Sequence, residues 1–527
     1  MTQDTLKDFE HIPLEKFEFV NQGERISDQK FEDKPIGYFK DAWIRFRKNK
    51  GSIVASIIII VIVLYALLAP VFTTNFNQTF LDVFYAKKPP RNLLLKKIGI
   101  ADGGTGRQFS EKSLISAIAI GVGAEDTEGR GTVTIKEGLD STYQPMIRFK
   151  EEKTVSEIRG VKPKTIYNGR IDNYLEVGFL YRSIKQAEFD SIRAWEKETG
   201  IKVLYPLVEN NEWNIDANDA NNWYKTVKGT PVTVKDGKAK ELTYSEDLVL
   251  EENYKRDSHG NPVYFEYTGG GNLETAQYKV RVLYYNYYLY KNGFEPEYLF
   301  GTDSQGYDLC LRMAGGLRLS LLLAVCVSMV NLILGALYGS TEGYYGGGVD
   351  LTMQRISDIL INVPFVVVAT LFQIHLSAKV GAFPSLIFAF VLTGWIGTAE
   401  NVRTQFYRFK GQEYVIAART LGARDRRIIW KHIFPNSLGT LITASVLVIP
   451  GTISTESTLS YLGIVKLSTV EYTSLGNLLA DASGIWTNCP HLLLFPAIIQ
   501  SLLLISFNLF GNGLRDAFNP SLRGVED

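Results

Sequence analysis

Six stretches of this chain carry no Asp, Glu, Lys or Arg over a length that suits a membrane-crossing helix. A bilayer core of about 30 Å takes roughly 20 apolar residues of helix. The stretches are Gly51–Phe72, Leu319–Thr341, Ile359–Leu376, Gly381–Thr398, Ile433–Thr455 and about Leu492–Leu514. A Lys or Arg in the middle of such a helix costs about 2.5–3.5 kcal/mol on insertion scales, so the charge-free gaps are informative. Pro364, Pro384, Pro450 and Pro496 lie in or near these stretches, where neighbouring helices can satisfy the freed carbonyls.

Between the first and second stretches the pattern changes. Residues 73–300 are densely charged and rich in Tyr, and they are expected to form a water-exposed α+β domain. Helical spacing over Ile184–Glu198 stops at Gly200 and leads into a β-like run, Ile201–Tyr205. Val232–Val234 and Leu242–Tyr244 flank Asp236-Gly237, which predicts a hairpin with a loop longer than the tightest type. Val263–Tyr267 and Tyr278–Tyr290, separated by Gly269–Gly271, read as two further strands. The tyrosines from Tyr284 to Tyr290 are expected on a strand near the membrane interface, with a ligand-binding role as the alternative. Asn77-Gln78-Thr79 matches a glycosylation sequon.

The chain therefore divides into a tail at 1–50, a first membrane helix at 51–72 and an insert at 73–300. A five-helix core at 301–515, with a connecting loop at 401–436, and a tail at 516–527 complete it. Its 56 basic and 56 acidic residues balance, which gives no reason to expect a nucleic-acid partner. Basic residues cluster before the first stretch, at 403–431, and after the last, all on one face of a six-span arrangement. That face is expected to be cytoplasmic, with both termini on it and 73–300 outside the cell. The polar residues ahead of Gly51, and the length of the stretch itself, argue for an anchor and against a cleaved signal.

Candidate chemistry is sparse. No phosphate loop of the form G-x-x-x-x-G-K-[ST], no H-E-x-x-H and no G-x-S-x-G occurs. The chain is thus expected to be neither an ATPase nor another enzyme, and no residues have metal-ligand spacing. Three Cys form no framework: Cys326 packs in a span, and a Cys310–Cys489 bridge requires both to face outward.

Glu413–Pro435 is the most informative segment. Glu413–Leu421 can form two helical turns bearing Ala417 and Ala418, and Gly422 suits a left-handed helix end. Asp425 then suits the start of a second helix through Ile428, Ile429 and Ile433. The residues alone fit two readings equally: a stiff cross-piece pressed against a soluble partner, or a basic loop against anionic lipid. Two acids draw attention elsewhere. Glu456 either lines a path or, as favoured here, anchors a turn around Ser457 and Ser460, while Asp358 is expected to pair near Arg355.

Glu413, Ala417, Ala418, Gly422, His432, Pro435 and Asn436 resemble the cytoplasmic signature of permease subunits of ABC importers, specifically the second permease of oligopeptide and dipeptide systems. Phe300-Gly301-Thr302-Asp303 with Gly306 and Asp308 resembles another family element, with Tyr307 where the pattern has Arg. Asp358 and Pro364, Thr393-Gly394-Trp395, Glu456 through Gly463, Gly513 through Asp516, and Asn519-Pro520 follow in family order. The resemblance covers about 45–72 and 300–523. It does not extend to 73–299, where the family has a far shorter loop.

The resemblance implies a type I importer fold: five core helices preceded by one more. It implies a second homologous permease, two ATPase subunits that bind ATP and Mg, and an extracellular lipid-anchored or periplasmic solute-binding protein as partners, in a lipid bilayer. It further implies that Glu413, Ala417, Ala418, Arg419, Leu421, Gly422 and Ala423 seat in an ATPase groove. Asp358, Pro364, Trp395, Glu456 and Ser457 are candidates for the translocation path or gate. Short peptides are the expected cargo. The alternatives are nickel chelates or another small solute, and an extracellular sensor or docking protein on a permease scaffold.

Overall fold

The computed structural model describes residues 37–72, 80–126, 128–129, 132–154, 164–214, 218–269, 276–469 and 473–518. The sequon at Asn77 lies outside them.

Helix α1 (Tyr38–Lys48) lies ahead of α2 (Lys50–Phe72), which is apolar on every side, as a lipid-facing helix must be. The insert follows. Strand β1 (Gly104–Ser110) runs into α3 (Glu111–Glu125), whose first turn is capped by the Ser110 hydroxyl accepting from Ser113 N. Strands β2 (Met146–Thr154) and β3 (Lys164–Asp172) complete an antiparallel sheet in the order β1–β3–β2. Leu114, Ile118 and Val122 of α3 pack with Phe109, Ile171 and Trp223, and the Trp223 indole donates to Ala119 O at 2.9 Å.

A second antiparallel sheet takes β4 (Phe179–Lys185), then, after α4 (Gln186–Thr199), β7 (Phe265–Gly269) and β8 (Gln277–Leu283), in the order β7–β8–β4. Between them lies the hairpin β5 (Thr230–Lys235) and β6 (Lys238–Glu241).

Three expectations for the insert are corrected. Ile184 and Lys185 belong to β4, paired with Tyr278 and Gln277, so the helix begins at Gln186; it ends, as expected, at a left-handed Gly200. The hairpin has the tightest kind of turn: Lys235 pairs with Lys238, and Asp236 (φ 51°) and Gly237 (φ 68°) both adopt positive φ. Its return strand is therefore Lys238–Glu241 and not Leu242–Tyr244. Finally, β8 stops at Leu283 and Tyr284–Asn292 form helix α5. Tyr284, Tyr287 and Tyr288 are buried there among Tyr85, Tyr298 and Val280, because ring–ring packing outweighs the strand preference of Tyr.

The core consists of α6 (Leu309–Tyr345), α7 (Gly347–Ile361), α8 (Phe365–His375), α9 (Ala382–Phe409), α10 (Glu413–Thr420), α11 (Phe434–Tyr461), α12 (Leu475–Ser483) and α13 (His491–Phe518). Among the described residues five helices are long and apolar enough to cross a membrane, or six if α7 and α8 count as one. Those two meet at 73°, so the expected span Ile359–Leu376 is broken. Pro364 offers no N–H and starts α8, and Asn362 Nδ2 donates back to Asp358 O at 2.6 Å, closing α7. The three cysteines are free: Tyr65 Oη donates to Cys310 O at 2.7 Å, and Cys489 Sγ lies 3.7 Å from Lys87 O.

The two ends of the insert run alongside each other. Arg91 and Tyr298 exchange both backbone hydrogen bonds at 2.9 Å, Lys88 and Thr302 pair through Thr302 N and Lys88 O at 3.0 Å, and Asp82 N donates to Gly306 O at 3.2 Å. Inside this root the Arg91 guanidinium is buried over the Tyr174 ring, donates to Tyr285 Oη at 3.0 Å and lies 3.7 Å from Asp172. Leu311 of α6 joins the same apolar cluster. The insert is thus seated on the beginning of α6.

Candidate functional site: the cross-piece and the buried carboxyl

α6 is 37 residues long, which at 1.5 Å per residue is about 55 Å. The insert sits at its start and the α9–α11 connection at its end. There α10 lies as a short helix with one buried face. Val415 is fully buried with Phe406, Ile428, Ile429 and Ile433. Tyr414, Ile416 and Leu421 are exposed, the last at 88%.

The helix ends in a Schellman arrangement. Ala423 N donates to Ala418 O and Gly422 N to Arg419 O, each at 3.0 Å, with Gly422 at φ 81°. No heavy atom lies within 4 Å of where a Gly422 Cβ would sit, so the ground beside it is open. The chain then enters α11 through a stretch of widened helical turns, Ile428–Ile433.

Side chains tie this cross-piece to the core at both ends. Tyr344, at the end of α6, donates to Asp425 Oδ1 at 2.6 Å and accepts from Arg419 Nη2 at 3.4 Å. Asn436 of α11 donates to Tyr414 Oη at 3.2 Å. Nearby, Arg403 of α9 grips Asp350 of α7 through two bonds, 2.6 and 2.9 Å, with Glu342 of α6 3.6 Å away. A rotation of α6, α9 or α11 would therefore carry α10 with it.

The candidate path residues do not form one site. Glu456 is fully buried near the insert-side end of α11, accepting from Ser460 Oγ at 2.8 Å, Ser320 Oγ at 3.3 Å and Ser457 Oγ at 3.4 Å. Ser457 is itself buried, backed closely by Gly476 of α12. Trp395 instead packs on Tyr338, ring centroids 4.5 Å apart. Asp358 is half exposed at 3.3 Å from Arg355, and Pro364 marks the α7–α8 break. At Tyr307 the ring lies under the Arg312 guanidinium at 4.3 Å, and Arg312 Nε lies 3.4 Å from Asp303 Oδ2. An arginine five residues on thus faces this aspartate.

The family described as "Binding-protein-dependent transport system inner membrane component" matches residues 306–524, and the "N-terminal TM domain of oligopeptide transport permease C" matches 37–90. The oligopeptide transport system permease protein OppC of Bacillus subtilis is 39% identical over 227 residues, 43% of this chain and 73% of that protein. The chain belongs to this permease family. The dipeptide transport system permease DppC of Bacillus subtilis is 36% identical, over 43% of this chain and 70% of that protein. A chain of the inward-facing MetNI methionine ABC transporter shares 16% identity at a TM-score of 0.32, covering 39% of this chain and 96% of that one. This permease is a multi-pass membrane protein with the helical importer fold and a separate α+β insert, and it is a transport subunit.

Sequence reasoning missed the buried arginines. Arg281, on β8, donates to Ala220 O at 2.7 Å and stacks over Phe179 at 3.8 Å. The run Gln277–Leu283 gives no cue, since a charged residue between two Val ordinarily faces water.

Proposed function

We propose that this permease imports short peptides as one half of a translocation path, driven by partner ATPases through α10. Two relatives bear the names of oligopeptide and dipeptide permeases, which supports the cargo class. The observation that carries the mechanism is the exposed edge of α10: apolar Leu421 and unobstructed Gly422, tied to α6 by Tyr344 and to α11 by Asn436. Glu413, Ala417, Ala418, Arg419, Leu421, Gly422 and Ala423 are its contact residues. ATP and Mg bind the ATPases and not this chain. Closure of the ATPases pushes α10, and the push rotates the core helices between two states, each favoured by a different nucleotide condition.

In the bilayer the α10 side is cytoplasmic and the insert extracellular. A second permease completes the path, and a lipid-anchored or periplasmic solute-binding protein delivers cargo against the insert. Glu456 and Ser457 hold the insert-side end of the core closed-packed, while Asp358, Pro364 and Trp395 belong to the moving parts near the path.

The test is Gly422→Asp, which strains a left-handed position and sets a carboxylate on the contact ground. Uptake of a labelled tripeptide should fall more than tenfold with the chain still present in the membrane at wild-type level. Uptake that survives the substitution would contradict the mechanism.

A further inference from the structure

The insert holds a sheet edge that opens onto a cleft. β1 is an outer strand, paired with β3 on one side only among the described residues. Asn173 N donates to Gly103 O at 3.0 Å, and Asp172 N donates away from β1, to Pro145 O at 2.8 Å. Antiparallel pairing alternates, so the odd-numbered residues of β1 bond β3, while the N–H and C=O of Gly106 and Gln108 point outward.

Four consecutive β1 residues, Arg107 to Ser110, line a cleft of about 740 Å³. That size suits a small ligand. The first turns of α3 and the 219–224 segment also line it. Both signs of charge line it: Arg107 and Lys112 as cations, Glu176 and Asp219 as carboxylates. Arg107 also pairs with Glu176 and lies over the Phe109 ring at 5.1 Å.

We propose that this cleft binds a short peptide in extended form as an added strand on β1, its backbone bonded to the outward N–H and C=O of Gln108 and its charged termini met by the flanking ions. The proposal rests on the reading of the chain as a peptide permease, and it makes the insert a cargo-binding element in its own right. A peptide is favoured over a folded partner because the backbone groups of the edge, and the two signs of charge, match the one molecule that carries both along a narrow strand.

The experiment uses the full-length chain in lipid nanodiscs, without other subunits, titrated calorimetrically with tetra-alanine bearing free termini. A second probe is tetra-alanine N-methylated at alternate amides. Gln108→Pro removes one outward N–H at an edge position, where proline is tolerated. The wild type should bind tetra-alanine, and either N-methylation or Gln108→Pro should weaken binding at least tenfold. Lys112→Glu, an exposed change off the strand, should weaken it several-fold and serves if Gln108→Pro does not fold. Absence of tetra-alanine binding to the wild type, or equal affinity for the methylated peptide, would overturn the proposal. So would equal affinity in the substituted chains. Failure of the importer reading shows separately, as uptake that persists in Gly422→Asp.

Discussion

Glu456 shows how a single charge-bearing residue can shape a membrane core. Its carboxyl is enclosed by the hydroxyls of Ser320, Ser457 and Ser460, an arrangement of satisfied polar groups that positions α11 against α6. Glu456→Ala leaves those hydroxyls unpaired in a cavity and should cost about 2–4 kcal/mol, whereas Glu456→Gln, of equal size, should cost about 1 kcal/mol. Thermal unfolding in detergent ranks the two. Lys88, in the root of the insert, gives a pH-dependent case. Burial pushes its ammonium down to about 8 from the usual 10.5, with Arg107 adding to the push. Below pH 8 the folded chain carries a poorly solvated charge; between 8 and 10.5 the unfolded chain holds a proton that the folded one has shed, so stability rises with pH. Lys88→Met should raise stability at pH 7 by up to about 3 kcal/mol and flatten the rise seen in melting temperature from pH 7.5 to 10. Glu456 was legible in the sequence because a lone acid stands out in an apolar stretch. Arg91 and Arg281 were not, because their burial depends on tyrosines and carbonyls brought from distant parts of the chain.

Among elements, the α6–α9 contact depends on closeness. Gly335, Gly339 and Gly343 recur every fourth residue along α6, and α9 lies directly on them. A Cβ on Gly335 would come within 2.6 Å of Thr398, one on Gly343 within 2.7 Å of Phe406, and one on Gly339 would meet the carbonyl of Ala399. Backbone cannot retreat as a side chain can, so Gly339→Val should cost more than about 3 kcal/mol and sharply reduce folded protein in the membrane. Size-exclusion of the detergent extract measures this, with Gly348→Ala, in open space, as the silent comparison. The glycine spacing is plain in the sequence, yet hydropathy treats Gly as merely uncharged and passes over it. The α7–α8 break was half legible: Pro364 was noted, but an apolar run reads the same whether the helix is straight or bent by 73°. The cross-piece, by contrast, was placed almost residue for residue, because its cap, its small residues and its flanking charges are all local signals.

For the whole molecule, the membrane helices and their order were readable because lipid imposes one demand on every residue of a span. The insert was readable only as to class, since its two sheets are assembled from strands far apart in sequence, such as β4 with β8. If the insert serves cargo delivery, joining Arg91 to Tyr298 by a short Gly-Ser turn should leave the core folded and lower uptake most at low peptide concentration. Initial uptake rates across a range of concentrations measure it, and rates unchanged throughout would count against that role.

The ladder joining Arg91 to Tyr298 has a genetic corollary. Because more than two hundred residues leave and rejoin the transport body at neighbouring points, exchanging them for another module asks no rearrangement of the helices below. The junction therefore offers a place to graft foreign binding modules onto a peptide permease.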